Sequence, residues 1–288
     1  MAKKKSISII NTYLATFQSL KTQPKLVIPF ACFAFVELIF LLLIYVAPRQ
    51  PFNIVLAPPI RAFWGERFLH YPVNFLLLPK LASHSRNFLS CIIGSLLTGF
   101  AVAMVADTYN SKTVHLFSAL KNAFRKYLSL FTVVLIINLL FLGLVKVMEM
   151  GLIRYFTSGH ATLLFLKPVI WLGPILIALN LLLVVLVQGV FVYAIPLLMI
   201  ENLKLFKAIG RSALLFVKLF LPTLALVGLP VLIYIPIIIL QFNAPFLIDR
   251  LFPESVLYVC IAAVVINSLV IDLLVTLSTT ILFLQNKK

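Results

Sequence analysis

A chain of 288 residues with 62% hydrophobic and only 11% charged side chains carries too little charge to coat a soluble domain, and its mean hydropathy of +1.13 excludes one. The formal net charge of +16 would suit nucleic acid. Its basic residues, however, stand singly or in small groups at the ends of apolar runs, where anionic lipid headgroups favour them, so membrane lipids and not nucleic acid are the expected partners.

After Met1–Lys5, the stretch Ser6–Lys21 places Ile7, Ile10, Leu14, Phe17 and Leu20 on one stripe, with Asn11 and Gln18 opposite. This predicts a surface helix that Pro24 ends. Leu26–Val46 is long enough for a first span. A full-length span in this place does not read as the short apolar core of a signal peptide. Ala47–Arg86 holds six prolines (Pro48, Pro51, Pro58, Pro59, Pro72, Pro79) and a run of aromatics. It reads as an interfacial or re-entrant excursion, with Pro59 opening a short helix over Ile60–Leu69.

Asn87–Ala106 is predicted as span 2, Lys112–Leu128 as a second surface helix, and Ser129–Met148 as span 3. Gly151–Lys167 is an outer loop and Val169–Met199 a long span 4, tilted or frayed at Pro174 and Pro196. Met199–Phe220 is a third surface helix, with Lys204, Lys207, Arg211 and Lys218 on one face. Span 5, about Leu219–Leu240, is bent by Pro222, Gly228, Pro230 and Pro236. An outer loop over Phe242–Ser255 precedes span 6, Val256–Leu284. The expected fold is an all-α membrane protein: residues 1–288 form one integral membrane domain of six transmembrane helices with three cytoplasmic amphipathic helices.

Leu116-Phe117-x-Ala119-Leu120 aligns with Leu205-Phe206-x-Ala208-Ile209, and Leu130-Phe131 with Leu219-Phe220 at the same offset. Phe17-x-x-Leu20-Lys21 echoes Phe117-x-x-Leu120-Lys121. The chain thus reads as three units of surface helix plus hairpin; shared repeat ancestry and the shared composition of amphipathic helices both account for this. With the N-terminus inside, the inner segments carry 15 Lys and Arg against 9 outside, a positive-inside bias that makes both termini cytoplasmic.

The third surface helix also carries a motif. Glu201, six residues, then Ala208-Ile209-x-Arg211-Ser212-x-x-Leu215 resembles the membrane domain of glycerophosphoryl diester phosphodiesterases and related bacterial multi-span families. The resemblance covers about 15 residues. This chain departs from the family at Ala213, where Trp is common, and at Asn202 to Lys204, where a Gly follows the Glu. The resemblance implies a bacterial inner-membrane protein. Those phosphodiesterases do their chemistry in a separate soluble barrel, so no activity carries over.

No GxSxG, HExxH, P-loop or paired-carboxylate motif is present, and His70, His84, His115 and His160 are scattered, so no enzyme activity, cofactor or metal is expected. Cys32, Cys91 and Cys260 all lie in apolar runs, which suits reduced packing residues. The basic residues Lys121, Arg125, Lys204, Lys207 and Arg211 either seat the hairpins at the membrane surface or recognise anionic headgroups or a partner protein. Inside the spans, Glu37 and Asp272 both fall roughly 16–18 Å from the cytoplasmic ends, near the bilayer centre, with Asn138 and Gln188 at similar depth. No Lys or Arg is predicted there. The two carboxyls are therefore expected to be protonated or to share a proton, hydrogen-bonded to Gln188 or Asn138, as interhelical glue or as a proton or cation site.

Two functions fit: non-enzymatic organisation of membrane or envelope lipid, including scaffolding of a partner, or a transporter or permease subunit with a polar midplane site. The orientation has its own test. In a cysteine-free background, a cysteine at Ser158 is expected to react with an impermeant thiol reagent in intact cells, and one at Asn202 only after lysis. The reverse pattern would overturn the orientation.

Overall fold

The computed structural model describes residues 9–110, 114–157 and 168–287. The predicted features at Met1–Lys5, Ile7, Lys112, Ser158, His160 and Lys167 lie outside them. Among the described residues the protein is all-helical, with no strand.

Helix α1 (Ile9–Thr22) stops before Pro24, which opens a 3-10 turn (Pro24–Val27) leading into α2 (Ile28–Val46). Gln23, the residue before this proline, is kept out of the helical region (φ −133°, ψ 75°), which the proline ring disfavours. The next region departs from expectation. Helix α3 spans Asn53–Trp64, with Pro58 and Pro59 inside it rather than before it, and a 3-10 turn (Glu66–Leu69) follows. Helix α4 (Val73–Leu89) then passes through a π-helical turn (Ser90–Gly94) into α5 (Ser95–Tyr109). Val73–Tyr109 is thus one apolar helix of 37 residues, about 55 Å long. Span 2 begins well before Asn87, and Arg86 is taken from the outer loop into the middle of a helix.

Helix α6 (Leu116–Arg125) leads into the long α7 (Tyr127–Thr157). After α8 (Pro168–Phe191) come α9 (Ala194–Ile200) and α10 (Leu205–Lys218), then α11 (Phe220–Leu232) and α12 (Ile235–Phe242). Residues 242–255, predicted as a loop, contain a further helix, α13 (Ala244–Arg250). Helix α14 (Ser255–Ile266), a second π turn (Asn267–Asp272) and α15 (Leu273–Lys287) form the final span.

Two helix breaks follow one rule. A proline ring clashes with the carbonyl four residues earlier and offers that carbonyl no N–H. Pro196 acts on Val192, and α8 ends at Phe191; Pro236 acts on Leu232, where α11 ends. Pro222 adds a third case: it acts on Lys218, where α10 ends, while sitting itself in the first turn of α11, where the N–H groups lack helical partners anyway.

Among the described residues, five segments are long and apolar enough to cross a membrane: Pro24–Val46, Val73–Tyr109, Tyr127–Gly151, Ile175–Ile200 and Ser255–Lys287. A sixth is made if α10 and α11, which meet at 96°, count as one broken span.

The buried apolar residues form cores toward the two ends of the bundle, with a smaller cluster of Val227, Val231, Ile271 and Val275 between them. At the end that bears the termini, Leu26, Phe100, Met104, Ala119, Ala123 and Ile281 pack together, and beside them Leu130, Tyr193, Leu197, Ala208 and Phe283. At the opposite end Leu41, Phe68, Phe75, Leu78, Leu247 and Val256 form another core. Between the two ends the helices carry polar side chains.

Helix α5 approaches α7 so closely at Gly99 that an added Cβ would lie 2.5 Å from Leu130 Cδ1, and Leu130 is fully buried. Gly99→Ala is therefore expected to destabilise the protein by about 1–3 kcal/mol, and Leu130→Val to relieve part of that in the double variant. Thermal unfolding in detergent measures both; an unchanged midpoint for Gly99→Ala would mean that α5 and α7 can part freely.

Candidate functional site

The polar layer is built around Arg86. Its position on α4, thirteen residues past Val73, carries the guanidinium about 20 Å along the span. There it meets carboxylates from two other elements: Glu37 in the middle of α2, and Asp272 at the end of the second π turn.

The two terminal nitrogens of the guanidinium serve different acids. Arg86 Nη1 donates to Glu37 Oε1 and Oε2, both at 2.8 Å, and Nη2 donates to Asp272 Oδ2 at 2.6 Å. Ser268, one turn before Asp272, donates to Glu37 Oε2 at 2.6 Å and accepts from Arg86 Nη1 at 3.2 Å. The guanidinium also lies 5.7 Å from the centre of the Phe33 ring, one turn before Glu37 on α2. In a low-dielectric interior an isolated charge is expensive, and a guanidinium that divides its fork between two carboxylates offsets that cost for all three groups. Each π turn adds one residue to the helical register beside this cluster, at Ser90–Gly94 and at Asn267–Asp272. Such single-turn bulges concentrate at functional sites.

Two cavities meet at the cluster. The larger, about 540 Å³, reaches toward the end opposite the termini, past Glu37, Pro79, Asn180, Tyr234 and Gln241. The smaller, about 280 Å³, reaches toward the termini, past Phe30, Phe33, Pro196 and Thr280. Arg86, Asp272, Gln188 and Ile137 line both. Tyr234, at the break between α11 and α12, interacts with Asn267 and Gln241 on the larger side. Asn180 Oδ1 is buried there without a hydrogen-bond partner.

The predicted intramembrane residues therefore converge, but their partnership is corrected. Glu37 and Asp272 do face the bundle interior. They are bridged by Arg86, not hydrogen-bonded to Gln188 or Asn138. Asn138 instead donates to Ser90 Oγ at 3.2 Å and Cys91 Sγ at 3.0 Å, holding α7 to the first π turn. Sequence reasoning missed Arg86 because the prolines before it read as a loop. The signal that could have found it was the pair of carboxylates itself, which called for a cation in a neighbouring span.

The motif residues on α10 hold helices together at the end bearing the termini. Arg211 Nη1 donates to Glu201 Oε2 at 2.7 Å, and Lys287 Nζ lies 3.6 Å from Glu201 Oε1. Ala208 packs fully buried, and Ser212 Oγ donates to the Val190 carbonyl at 2.7 Å, satisfying an acceptor at the end of α8. Asn202 takes the left-handed conformation (φ 54°) that the turn between α9 and α10 requires, a conformation Asn tolerates better than most residues. Lys126 satisfies the end of α9 by donating to the carbonyls of Leu198 and Met199, at 2.7 and 3.1 Å, and to Asn202 Oδ1. Burial and the neighbouring Arg125 push the Lys126 ammonium below its ordinary value. Lys121, Arg125, Lys204 and Lys207 are exposed.

Among the described residues no three His, Cys, Asp or Glu side chains come together as metal ligands. Replacing Arg86 by Met leaves two carboxylates without a cation. A loss of about 3–5 kcal/mol is expected at alkaline pH, shrinking in acid as protons neutralise the acids, and partly recovered by adding Glu37→Gln. Unfolding of the variants across pH measures this; a pH-independent loss would show that Arg86 acts through packing alone.

No protein-family model matches the chain, and no curated protein or solved structure matches it.

Proposed function

We propose that the chain is a membrane transport protein that passes a small polar or charged solute through the Arg86–Glu37–Asp272 layer, with each cavity as the approach from one face. The observation that carries this reading is the meeting of two cavities on one ion-paired cluster. A charged cluster adds little stability that packed apolar side chains would not supply, so its retention at mid-span points to function. The helix breaks at Val192–Tyr193 and Ile233–Tyr234 lie beside the cavities and put irregular backbone where it borders them, as in the interrupted helices of transporters.

This reading takes the chain as non-enzymatic and places it in a bacterial cytoplasmic membrane. Helices α1, α6 and α10 lie at the membrane surface in it. Each turns small or polar side chains inward (Thr12 and Thr16; Ala119 and Ala123; Ala208 and Ser212) and large apolar ones outward (Ile10 and Leu14; Phe117 and Phe124; Phe206 and Val217). A helix that packs by its small face and leaves its large apolar face uncovered is suited to sit among lipid headgroups and acyl chains, its basic residues against anionic lipid. The buried positions Ala119 and Ala208, and Leu130 and Leu219, coincide under the alignment of the repeat units, which supports a common unit.

Purified protein in liposomes on a solid-supported membrane, challenged with amines, amino acids, carboxylates and sugars, is expected to give transient currents or pH changes with one of these classes. Gln188→Leu, which alters the junction of the cavities without touching the ion pairs, should reduce the response several-fold. A folded protein silent to every class overturns the transport reading.

A further inference from the structure

Charge arithmetic at the site names what it carries. One guanidinium faces two carboxylates, and among the described residues no other charged side chain lines either cavity. With both acids ionised the cluster has a net charge of −1 in an apolar surrounding, and a single positive charge neutralises it. The two acids are not equivalent. The Glu37 side chain is 2% exposed and accepts three hydrogen bonds, two from Arg86 and one from Ser268. That of Asp272 is 30% exposed, borders both cavities, and accepts from Arg86 on one oxygen. Glu37 is the fixed counter-ion of Arg86, and Asp272 is the acid whose charge is open to exchange.

We propose, on the transport reading above, that Asp272 holds either one proton or one organic monocation, in turn, so that the protein exchanges the two across the membrane. When the cation enters, the carboxylic acid of Asp272 gives its proton to water, and the carboxylate left behind pairs with the cation. Total charge at the cluster is unchanged. The groups facing Asp272 fit this role. Glu37 comes from α2, Arg86 from α4, Tyr234 from the turn before α12, and Cys260 from α14 borders the larger cavity. Helices α8 and α15 contribute Gln188 and Thr276, which do not titrate.

The surroundings favour an organic cation over a metal ion. A bare metal cation needs several ligands held together, and among the described residues no three His, Cys, Asp or Glu side chains come together for one. Aromatic rings border the site on both sides, Phe30, Phe33 and Phe191 on the smaller cavity and Phe141 and Tyr234 on the larger. Ring faces attract a soft, weakly hydrated cation without stripping it of water.

The test uses the whole protein in weakly buffered detergent with tetraphenylphosphonium, a permanent cation with no proton of its own. Below the pH at which Asp272 ionises, binding is expected to release about one proton per cation and the apparent Kd to fall about tenfold per pH unit, and both effects fade together above it. Asp272→Asn leaves Arg86 and Glu37 as a neutral pair, so release and pH dependence should both vanish. Glu37→Gln should have the same effect, because Asp272 then becomes the sole counter-ion of Arg86. Asp272→Glu, which keeps the charge, should retain release and guards against a variant that fails to fold. Binding without proton release, release that survives Glu37→Gln in a folded protein, or equal release on adding sodium overturns the proposal. Proton release without flux in liposomes would sink the transport reading and leave the exchange site standing. Flux of a neutral or anionic solute, with no proton released by the cation, would do the opposite.

Discussion

The Arg86 guanidinium, divided between Glu37 and Asp272, is the interaction on which the arrangement of this protein depends. Each of the three groups would be costly in the apolar interior by itself, and each is tolerable because the other two are within hydrogen-bond reach. That requirement fixes three elements against one another: the middle of α2, the last turn of α4, and the π turn between α14 and α15. Ser268 completes the arrangement by filling a remaining acceptor site on Glu37. Neither π turn needs a proline or glycine break in the apolar run; a single extra residue in the helix suffices to rotate the chain beyond it.

Around this layer the physical logic is one of separation. The cores at the two ends of the bundle are apolar and closely packed, as the approach of Gly99 to Leu130 illustrates. Between them, Asn138, Asn180, Gln188, Tyr234 and Gln241 line the larger cavity. Prolines at 196 and 236 help to make that room, since each ends a helix four or five residues earlier and leaves the segments free to diverge. Near the first of these breaks Ser212 donates to the Val190 carbonyl, and at the other end of α9 Lys126 donates to those of Leu198 and Met199. The motif on α10 is, in this protein, a set of ties: Glu201 to Arg211, Ser212 to α8, and Ala208 as a close-packing position.

Much of this was legible beforehand. The membrane class, the C-terminal ends of α1, α6 and α10 to within three residues, and the place of Glu37 and Asp272 midway along their apolar segments all follow from hydropathy and helical periodicity, which are sums over neighbours in the chain. The reading failed in Ala47–Arg86, where six prolines outweighed an apolar pattern that began at Val73. Pro79 lies inside α4 without ending it. A membrane-spanning helix tolerates such a proline when neighbouring groups re-satisfy its backbone. That one misjudged boundary hid Arg86, and with it the reason why two acids can lie at mid-span.

The sequence by itself determined that the protein is helical, that it belongs in a membrane, and that two acids lie deep within it. Each of these is a property of one segment at a time: hydropathy over about twenty residues, or a position counted from a span's end. Only the tertiary structure decided which cation those acids meet and which carboxylate is left facing a cavity. Arg86 reaches Glu37 across 49 positions of chain and Asp272 across 186. No local sum contains that information, because the pairing depends on which faces of α2, α4 and α14–α15 turn toward one another. The faces are set by packing at both ends of the bundle and by the π turns, and a rotation of one helix by a single residue would carry its charge away from the others.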